Sequence, residues 1–418
     1  MSNKAYKIRL YPNKAQTELI DKTVGSVRFL FNQMLKERID VYEKLRNDTE
    51  ALKKYKYKTE KQYKQEYIFL SEVPSRALQQ SRLDLDTAFK NFYRRIKQNK
   101  KQKGFPKFKK KSEDKWSYRD PQVWSQNTPA IEIKNNKIKL PKLSWVKFKG
   151  LDKNFSGKIK SVTIEKGRDD KYYASILVEK EKQDRKLRTG NEVTGIDLGL
   201  KEFVTLSNGE IINGIKDKFK ELSNRIDKAN KHLSRKAYGS NRYEKQRIKL
   251  NRLYKKRTNI QNHFFWHLSN HILSKSQAVV IEDLNVKGMV KNRRLSKAIH
   301  SVAWSSFIQK LKHKADEYGT DVFTVNRFFP SSKLCPSCGS LKENLTLKDR
   351  VYTCDCGYTQ DRDINAAINL RNEYLTLYNV SLESSDYRCG ETIRPIKIDF
   401  DLKGSFDEAS INLLEKIA

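Results

Sequence analysis

The sequence predicts a multidomain α/β protein, and three observations carry that prediction. Its 418 residues exceed the usual domain size of about 150 residues more than twofold. Strand-like alternation and helical periodicity follow one another along the whole chain. Hydrophobic residues make up 37% and include 20 tyrosines and 19 phenylalanines, enough for packed cores and too much for wholesale disorder.

The elements follow in order. Lys4–Leu10 alternates apolar and basic residues and reads as a strand that Tyr11-Pro12 ends. Helical spacing then holds to about Lys100. Leu19, Val24, Val27, Phe31, Leu35 and Ile39 mark one helix. Leu78, Leu85, Phe89, Phe92 and Ile96 mark another, with Ser75 as its expected N-cap. After a basic stretch at Lys100–Lys111 come short alternating runs at Ile131–Ile133, Lys137–Leu140, Val146–Phe148, Ser161–Glu165 and Tyr172–Glu179, expected to form a meander or small barrel. Lys180–Asn191 reads as a charged linker. Strand character resumes over Asn191–Leu206. Two long basic helices follow, Asp217–Ala237 and onward to Ser274, broken at Tyr238-Gly239-Ser240 into a hairpin. Ala278–Leu284 reads as a buried strand, Ser305–Glu317 as a helix, Asp321–Val325 as a strand and Asp363–Tyr374 as a helix.

Lysine and arginine exceed aspartate and glutamate by 36. The excess is spread along the chain, apart from residues 381–418, where 8 acids face 5 bases. So large a surplus calls for a polyanion, and nucleic acid is the expected partner. A membrane-surface protein would gather its charge in one amphipathic helix. No apolar run of 18 residues is present, and the N-terminus lacks the apolar core of a secretory signal. Five cysteines do not make a disulfide scaffold, so a reducing compartment is expected.

Four of those cysteines form two close pairs. Cys335-Pro-Ser-Cys338 and Cys354-Asp-Cys356 are each followed by a glycine, and together they resemble a zinc ribbon. Four thiolates leave no open position, so a structural Zn2+ is expected, with Cys389 left over. Three acids sit in apolar surroundings: Asp197 in Gly195–Gly199, with glycines expected to admit a ligand, Glu282 after Val279–Ile281, and Asp363 opening a helix. Alone, Asp363 could cap its helix and Glu282 could face solvent. Together they are hard oxygen ligands for Mg2+ or Mn2+, and in so basic a chain they suggest two-metal phosphodiester cleavage. Their order, Asp, Glu, Asp on strand, strand and helix, resembles the RuvC branch of the RNase H-like fold.

Eight motifs carry a family resemblance over nearly the whole chain. They are KIRLYPNKAQTELI at Lys7–Ile20, AFKNFYRRIK at Ala88–Lys97, GFPKFKKK at Gly104–Lys111, GIDLGLKEF at Gly195–Phe203, IEDLNVKGM at Ile281–Met289, NRRLSKAI at Asn292–Ile299, FFPSSKLCPSCG at Phe328–Gly339 and DRDINAAINL at Asp361–Leu370. The chain resembles the TnpB (OrfB) family of transposon-encoded RNA-guided endonucleases, which is related to type V CRISPR effectors. The resemblance implies a wedge β-barrel over 1–12 and 111–188, interrupted by a helical recognition lobe over 13–110. It implies a RuvC nuclease over 189–330 with a helical hairpin at 215–275, a zinc-ribbon insertion over 331–360, a final RuvC helix over 361–380 and a poorly ordered tail over 381–418.

The same resemblance assigns metal binding and catalysis to Asp197, Glu282 and Asp363, with Asp361 the neighbour to test if Asp363 proves inessential. It implies a guide RNA from the transposon end and double-stranded target DNA cut beside a short motif. It further implies a cytoplasmic monomer that holds its RNA and engages the nucleoid. Nucleic-acid contacts are expected at Gln79 and Gln80, which can read adenine, and at Lys107, Lys109, Arg293 and Arg294. Relatives lacking the acids act as RNA-guided repressors; here all three stand. A repressor and a transposase accessory protein are the other readings. His263, His267 and His271 mimic a metal face at i, i+4 and i+8 but lack a zincin glutamate, and read as packing or RNA-facing residues. Phe105, Phe108, Trp116, Tyr118 and Trp124 could stack on bases, although core packing suits most of them.

Overall fold

A computed structural model describes residues 2–100, 102–111, 116–151, 155, 157–180, 192–346, 348–378, 393 and 395–398. The expected linker at 181–191, most of the expected tail and Cys389 lie outside the described residues. These residues divide into two compact units, one from 2–180 and 236–252, the other from 192–235 and 253–398.

The first unit opens with β1 (Ser2–Tyr11), whose alternation turns Ile8 and Leu10 inward. Helix α1 (Lys14–Leu45) follows, started by a capping box between Asn13 and Gln16. Its inward stripe is Ile20, Val24, Val27, Phe31 and Leu35, the spacing read in the sequence. Two short helices, α2 (Thr49–Lys54) and α3 (Glu60–Glu66), lead to α4 (Ser75–Lys97). The expected cap of α4 is corrected: Pro74 holds the N-cap position, and Ser75 Oγ instead accepts from Lys64 Nζ at 2.6 Å. Leu78 and Leu85 are fully buried against α1, and Ser81 donates to the Val27 carbonyl at 3.0 Å.

The strands that follow are β2 (Ser117–Pro121), β3 (Trp124–Ser125), β4 (Thr128–Pro129), β5 (Glu132–Lys134), β6 (Lys137–Leu140), β7 (Ser144–Lys149), β8 (Lys158–Lys166) and β9 (Tyr172–Lys180). Seven strands form one sheet in the order β2-β8-β9-β1-β7-β6-β5, with antiparallel pairing throughout. No pairing joins β2 to β5 among the described residues, so the expected barrel is seen as an antiparallel sheet with two ends. Its inner face packs on α1 and α4 in one apolar core.

The second unit contains β10 (Glu192–Asp197), β11 (Val204–Leu206), β12 (Glu210–Ile212), α5 (Lys216–Ser234), α6 (Asn241–Lys275) from residue 253 onward, and β13 (Ser276–Glu282). It continues through α7 (Val286–Met289), α8 (Arg293–Val302), α9 (Trp304–Tyr318), β14 (Asp321–Val325), β15 (Val351–Thr353), β16 (Thr359–Asp361), α10 (Arg362–Tyr378) and β17 (Ile396–Ile398). The main sheet runs β14-β13-β10-β11-β12-β17. Strands β14, β13 and β10 are parallel, while β10, β11 and β12 form an antiparallel meander. Residues 278–281 of β13 form a continuous apolar run because both faces of the strand are covered. α9 and the end of α6 cover one side with Phe264, Phe265, Leu268, Phe307 and Leu311.

The expected disorder of the tail does not hold at its described residues. Strand β17 pairs in parallel with β12, and Ile393 is buried with Ile211, Ile364 and Ile368. The net acidic charge of that segment suggested a free tail, although Ile396 and Ile398 alternate with charged residues as a strand does.

Candidate nuclease and metal sites

Register decides where the first two acids lie. In the parallel pair β10–β13, Gly195 stands beside Val280 and Ile196 beside Ile281. The next residue on each strand is the acid, so Asp197 and Glu282 end adjacent strands at one level. Helix α10 crosses this sheet and brings Asp363 in its first turn. The crossing is close: a Cβ on Gly195 would lie 1.9 Å from the Ala367 carbonyl oxygen and 2.9 Å from the Arg371 nitrogen. That glycine was expected to admit a ligand. It admits the helix instead, and this approach holds Asp363 over the strand ends.

Asp197 feels the other two carboxyls. Desolvation, and then the charges of Asp363 and Glu282, push Asp197 up to about 7. Desolvation and neighbouring Asp283 also raise Glu282. Asp363 is met by cations: Arg362 Nη2 lies 3.2 Å from Oδ1 and Arg350 Nη1 3.8 Å from Oδ2. The helix cap is Asp361, whose Oδ1 accepts from the Asp363 and Ile364 nitrogens at 2.9 and 3.2 Å. Asp363 is therefore not spent on capping, and Asp361 is. The acids do not crowd into one cage. Among the described residues, the three or more ligating side chains whose atoms all fall within 4.8 Å of one another are the four cysteines.

Those cysteines come from two turns. Cys335 and Cys338 flank one, closed by Gly339 N–H to the Cys335 carbonyl at 2.9 Å; Cys354 and Cys356 flank the other, closed by Gly357 N–H to the Cys354 carbonyl at 3.0 Å. Both glycines have positive φ, 75° and 89°, where a side chain would be strained. The cysteines form no disulfide. Sγ···Sγ separations are 3.6 Å for Cys335–Cys356 and 3.5 Å for Cys338–Cys354. Tetrahedral zinc with Zn–S of about 2.3 Å sets its sulfurs about 3.8 Å apart, so the donor set fits that ion. Ser340 helps to lower Cys338 to about 6, whereas burial pushes Cys335 up to about 12, so ligation would have to drive off the Cys335 proton. The single residue inside the second knuckle does no harm to the geometry.

Sequence reasoning missed how this module is tied to α10. Asn365 and Asn369 are buried one helical turn apart. Their amides donate to the Leu334 carbonyl at 3.0 and 2.7 Å, and Asn369 also reaches the Ser331 carbonyl at 2.7 Å. The segment leading into Cys335 is thus hydrogen-bonded to the helix that carries Asp363. Two asparagines at i and i+4 in the otherwise apolar stretch Ile364–Leu370 were the available signal.

The other candidates divide. Gln79 accepts from Arg76 and Gln80 donates to Asp84, each at 2.9 Å, so both amides are engaged along α4. Lys109 lies over the Phe31 ring at 3.9 Å, and its backbone is bracketed by Asn32. Lys107, Arg293 and Arg294 are exposed. Trp116 and Tyr118 pack in the first core, whereas Phe105, Phe108 and Trp124 are exposed. His263 and His267 face one another at 4.5 Å between ring centres, and desolvation lowers both. His271 binds Glu210 at 2.6 Å, so the three do not form a metal face.

Comparison with known proteins places the chain among its relatives. Residues 175–293 match the OrfB family of IS605-type elements, described as a probable transposase. Residues 304–370 match a Cas12f1-like TNB domain, and residues 1–47 a helix-turn-helix domain of the same OrfB family. A putative RNA-guided DNA endonuclease of Streptomyces pristinaespiralis is 32% identical over 94% of this chain and 92% of its own length. The chain belongs to the TnpB/OrfB family. Another relative, the putative RNA-guided DNA endonuclease InsQ of Escherichia coli, is 27% identical over 94% of this chain and 96% of its own. The solved Cas12f1–sgRNA–target DNA complex matches 89% of this chain and 99% of its own with a TM-score of 0.50 at 14% identity, a likeness of fold. In this TnpB/OrfB chain, no helix among the described residues is long and apolar enough to cross a membrane.

Proposed function

We propose that this TnpB/OrfB protein is an RNA-guided, divalent-metal-dependent DNA endonuclease of an insertion-sequence element. It would cut double-stranded DNA beside a short motif, with a guide from the transposon end, and so support retention of the element. The observation that carries the reading is the meeting of Asp197, Glu282 and Asp363 at the ends of the central strands. A buried carboxyl such as Asp197, whose proton affinity is raised by burial and by two neighbouring acids, is costly unless a cation joins them. The acids do not all lie within the reach of one ion, and two ions are the expected occupants. Mg2+ or Mn2+ held there supplies an activated water and charge stabilisation of the leaving oxygen.

The chain's own part is positioning. Paired strand ends fix Asp197 and Glu282, and the close crossing at Gly195 fixes Asp363. Arg362 and Arg350 balance Asp363 and stand where a phosphate would approach. The four cysteines hold one structural Zn2+, and the asparagine pair transmits that module's position to α10. The surplus of 36 positive charges would hold RNA and heteroduplex by their backbones. Lys107, Arg293 and Arg294 are the exposed candidates for phosphate contact. Gln79 and Gln80 could read the motif only by exchanging their intrahelical partners for bases. The intact acids favour a nuclease over a repressor or an accessory protein.

The test is guide-dependent cleavage. RNA that copurifies with the protein is sequenced, and a duplex matching it beside a randomised flank is incubated with the complex and Mg2+. Cleavage that needs both the matching RNA and a defined flank is expected. A duplex left intact under all flanks contradicts the nuclease reading.

A further inference from the structure

Phe328 is 86% exposed, yet the turn that bears it is firmly built. Asn326 Oδ1 accepts from the Phe328 nitrogen and the Asn326 carbonyl from the Phe329 nitrogen, both at 3.0 Å. Phe329, the next residue, packs into the core formed by Val193, Val280, Val325 and Leu370. Arg327, the preceding one, pairs with Asp283. A large apolar ring held out in water on a fixed turn has no role in folding.

Its place suggests its partner. Val325, which ends β14, pairs with Glu282, and the Asp283 nitrogen donates to the Val325 carbonyl at 3.1 Å. Phe328 is three residues beyond that pairing, past the end of the sheet where Asp197 and Glu282 lie. Two other exposed aromatics differ: Phe105 lies edge-on to Phe89 and Phe92, and Tyr238 leans on Tyr243. In a chain with a surplus of 36 positive charges, an aromatic face beside the acids fits a nucleobase. Bases in a duplex are already stacked, so the base it takes is unpaired.

We infer that Phe328 is a stacking post that positions an unpaired base of the DNA strand entering the acid site. The inference rests on the nuclease reading. Stacking on one aromatic is worth about 1–3 kcal/mol, which at 1.4 kcal/mol per tenfold is about five- to 150-fold in rate.

Two readouts test it on the full chain with its RNA. In an Asp197→Ala background, which needs no cleavage, 2-aminopurine is moved along each strand of the bound target. One unpaired position is expected to be quenched with Phe328, released by Phe328→Ala and quenched again by Phe328→Tyr. In the active chain, Phe328→Ala is expected to slow cleavage at least fivefold with target Kd unchanged, and Phe328→Tyr to stay within twofold. If Phe328→Ala leaves both the quenching pattern and the rate unchanged, the inference is overturned while the nuclease reading stands. If the 2-aminopurine change appears only at paired positions, it is overturned as well.

Discussion

Replacing Asp197 with asparagine should stabilise the protein while ending its activity. The carboxyl is raised from 3.8 to about 7, a change of roughly three units. At 1.36 kcal/mol per unit, that is about 4 kcal/mol of folding free energy held against the native state above pH 7, as an upper figure. The sign follows from the direction of the shift. A native carboxyl with a raised pKa binds its proton more tightly than the unfolded chain does. Stability therefore falls as pH climbs from about 4 to about 7 and is flat beyond. Asparagine keeps the shape and removes the charge. Denaturant unfolding of zinc-replete protein without added Mg2+ measures the effect. The variant should exceed the parent by about 2–4 kcal/mol at pH 8 and by little at pH 4.5. Added Mg2+ should then stabilise the parent and leave the variant unmoved. A variant less stable than the parent at pH 8, with the parent indifferent to Mg2+, would refute the reasoning and make Asp197 an ordinary satisfied group.

Other perturbations have defined outcomes. Gly195→Ala places a Cβ 1.9 Å from the Ala367 carbonyl oxygen. It should cost about 1–3 kcal/mol by overpacking and slow cleavage by displacing α10, both read by unfolding and turnover assays. Glu210 is lowered to about 2, first by its hydrogen bond to His271 and also by Lys275. Its contribution to stability is present above about pH 4.5 and lost as pH falls toward 2, and Glu210→Gln should lower stability at pH 7 by about 1–3 kcal/mol. Cys338→Ser should reduce bound zinc from one equivalent to none by elemental analysis, with a lower melting temperature, since ligation and folding are coupled.

Much of this architecture is legible in the residues because local pattern and tertiary role agree. The apolar stripes of α1 and α4, the alternation in β1, and the apolar run before Glu282 each state which face is buried. The cysteine pairs state their own chemistry, because two close turns with glycine after each leave the sulfurs few alternatives. What sequence could not give is convergence. Gly195 carries the same letter whether a ligand or a helix passes over it, and only the register of β10 against β13 puts Asp197 level with Glu282. Asp361 and Asp363 are alike as cap candidates until the backbone shows which one receives the N–H groups. β17 did carry a signal: Ile396, Ile398, Phe400 and Leu402 alternate with charged residues, a strand pattern that the net acidic charge of the segment obscured. Phe328 looked like its neighbour Phe329, although one is core and the other is solvent-facing.

The most direct test of the account compares cleavage of the guide-matched duplex by the parent and by Asp197→Ala, Glu282→Ala, Asp363→Ala and Asp361→Ala, with target binding measured in parallel. The three site variants should bind target DNA as the parent does and cleave it at least a thousandfold more slowly, a loss of about 4 kcal/mol of transition-state stabilisation. Asp361→Ala should lose only the helix cap, about 1 kcal/mol of stability, and keep cleaving. Undiminished cleavage by any of the three site variants, or loss confined to Asp361→Ala, would contradict the assignment of the nuclease centre.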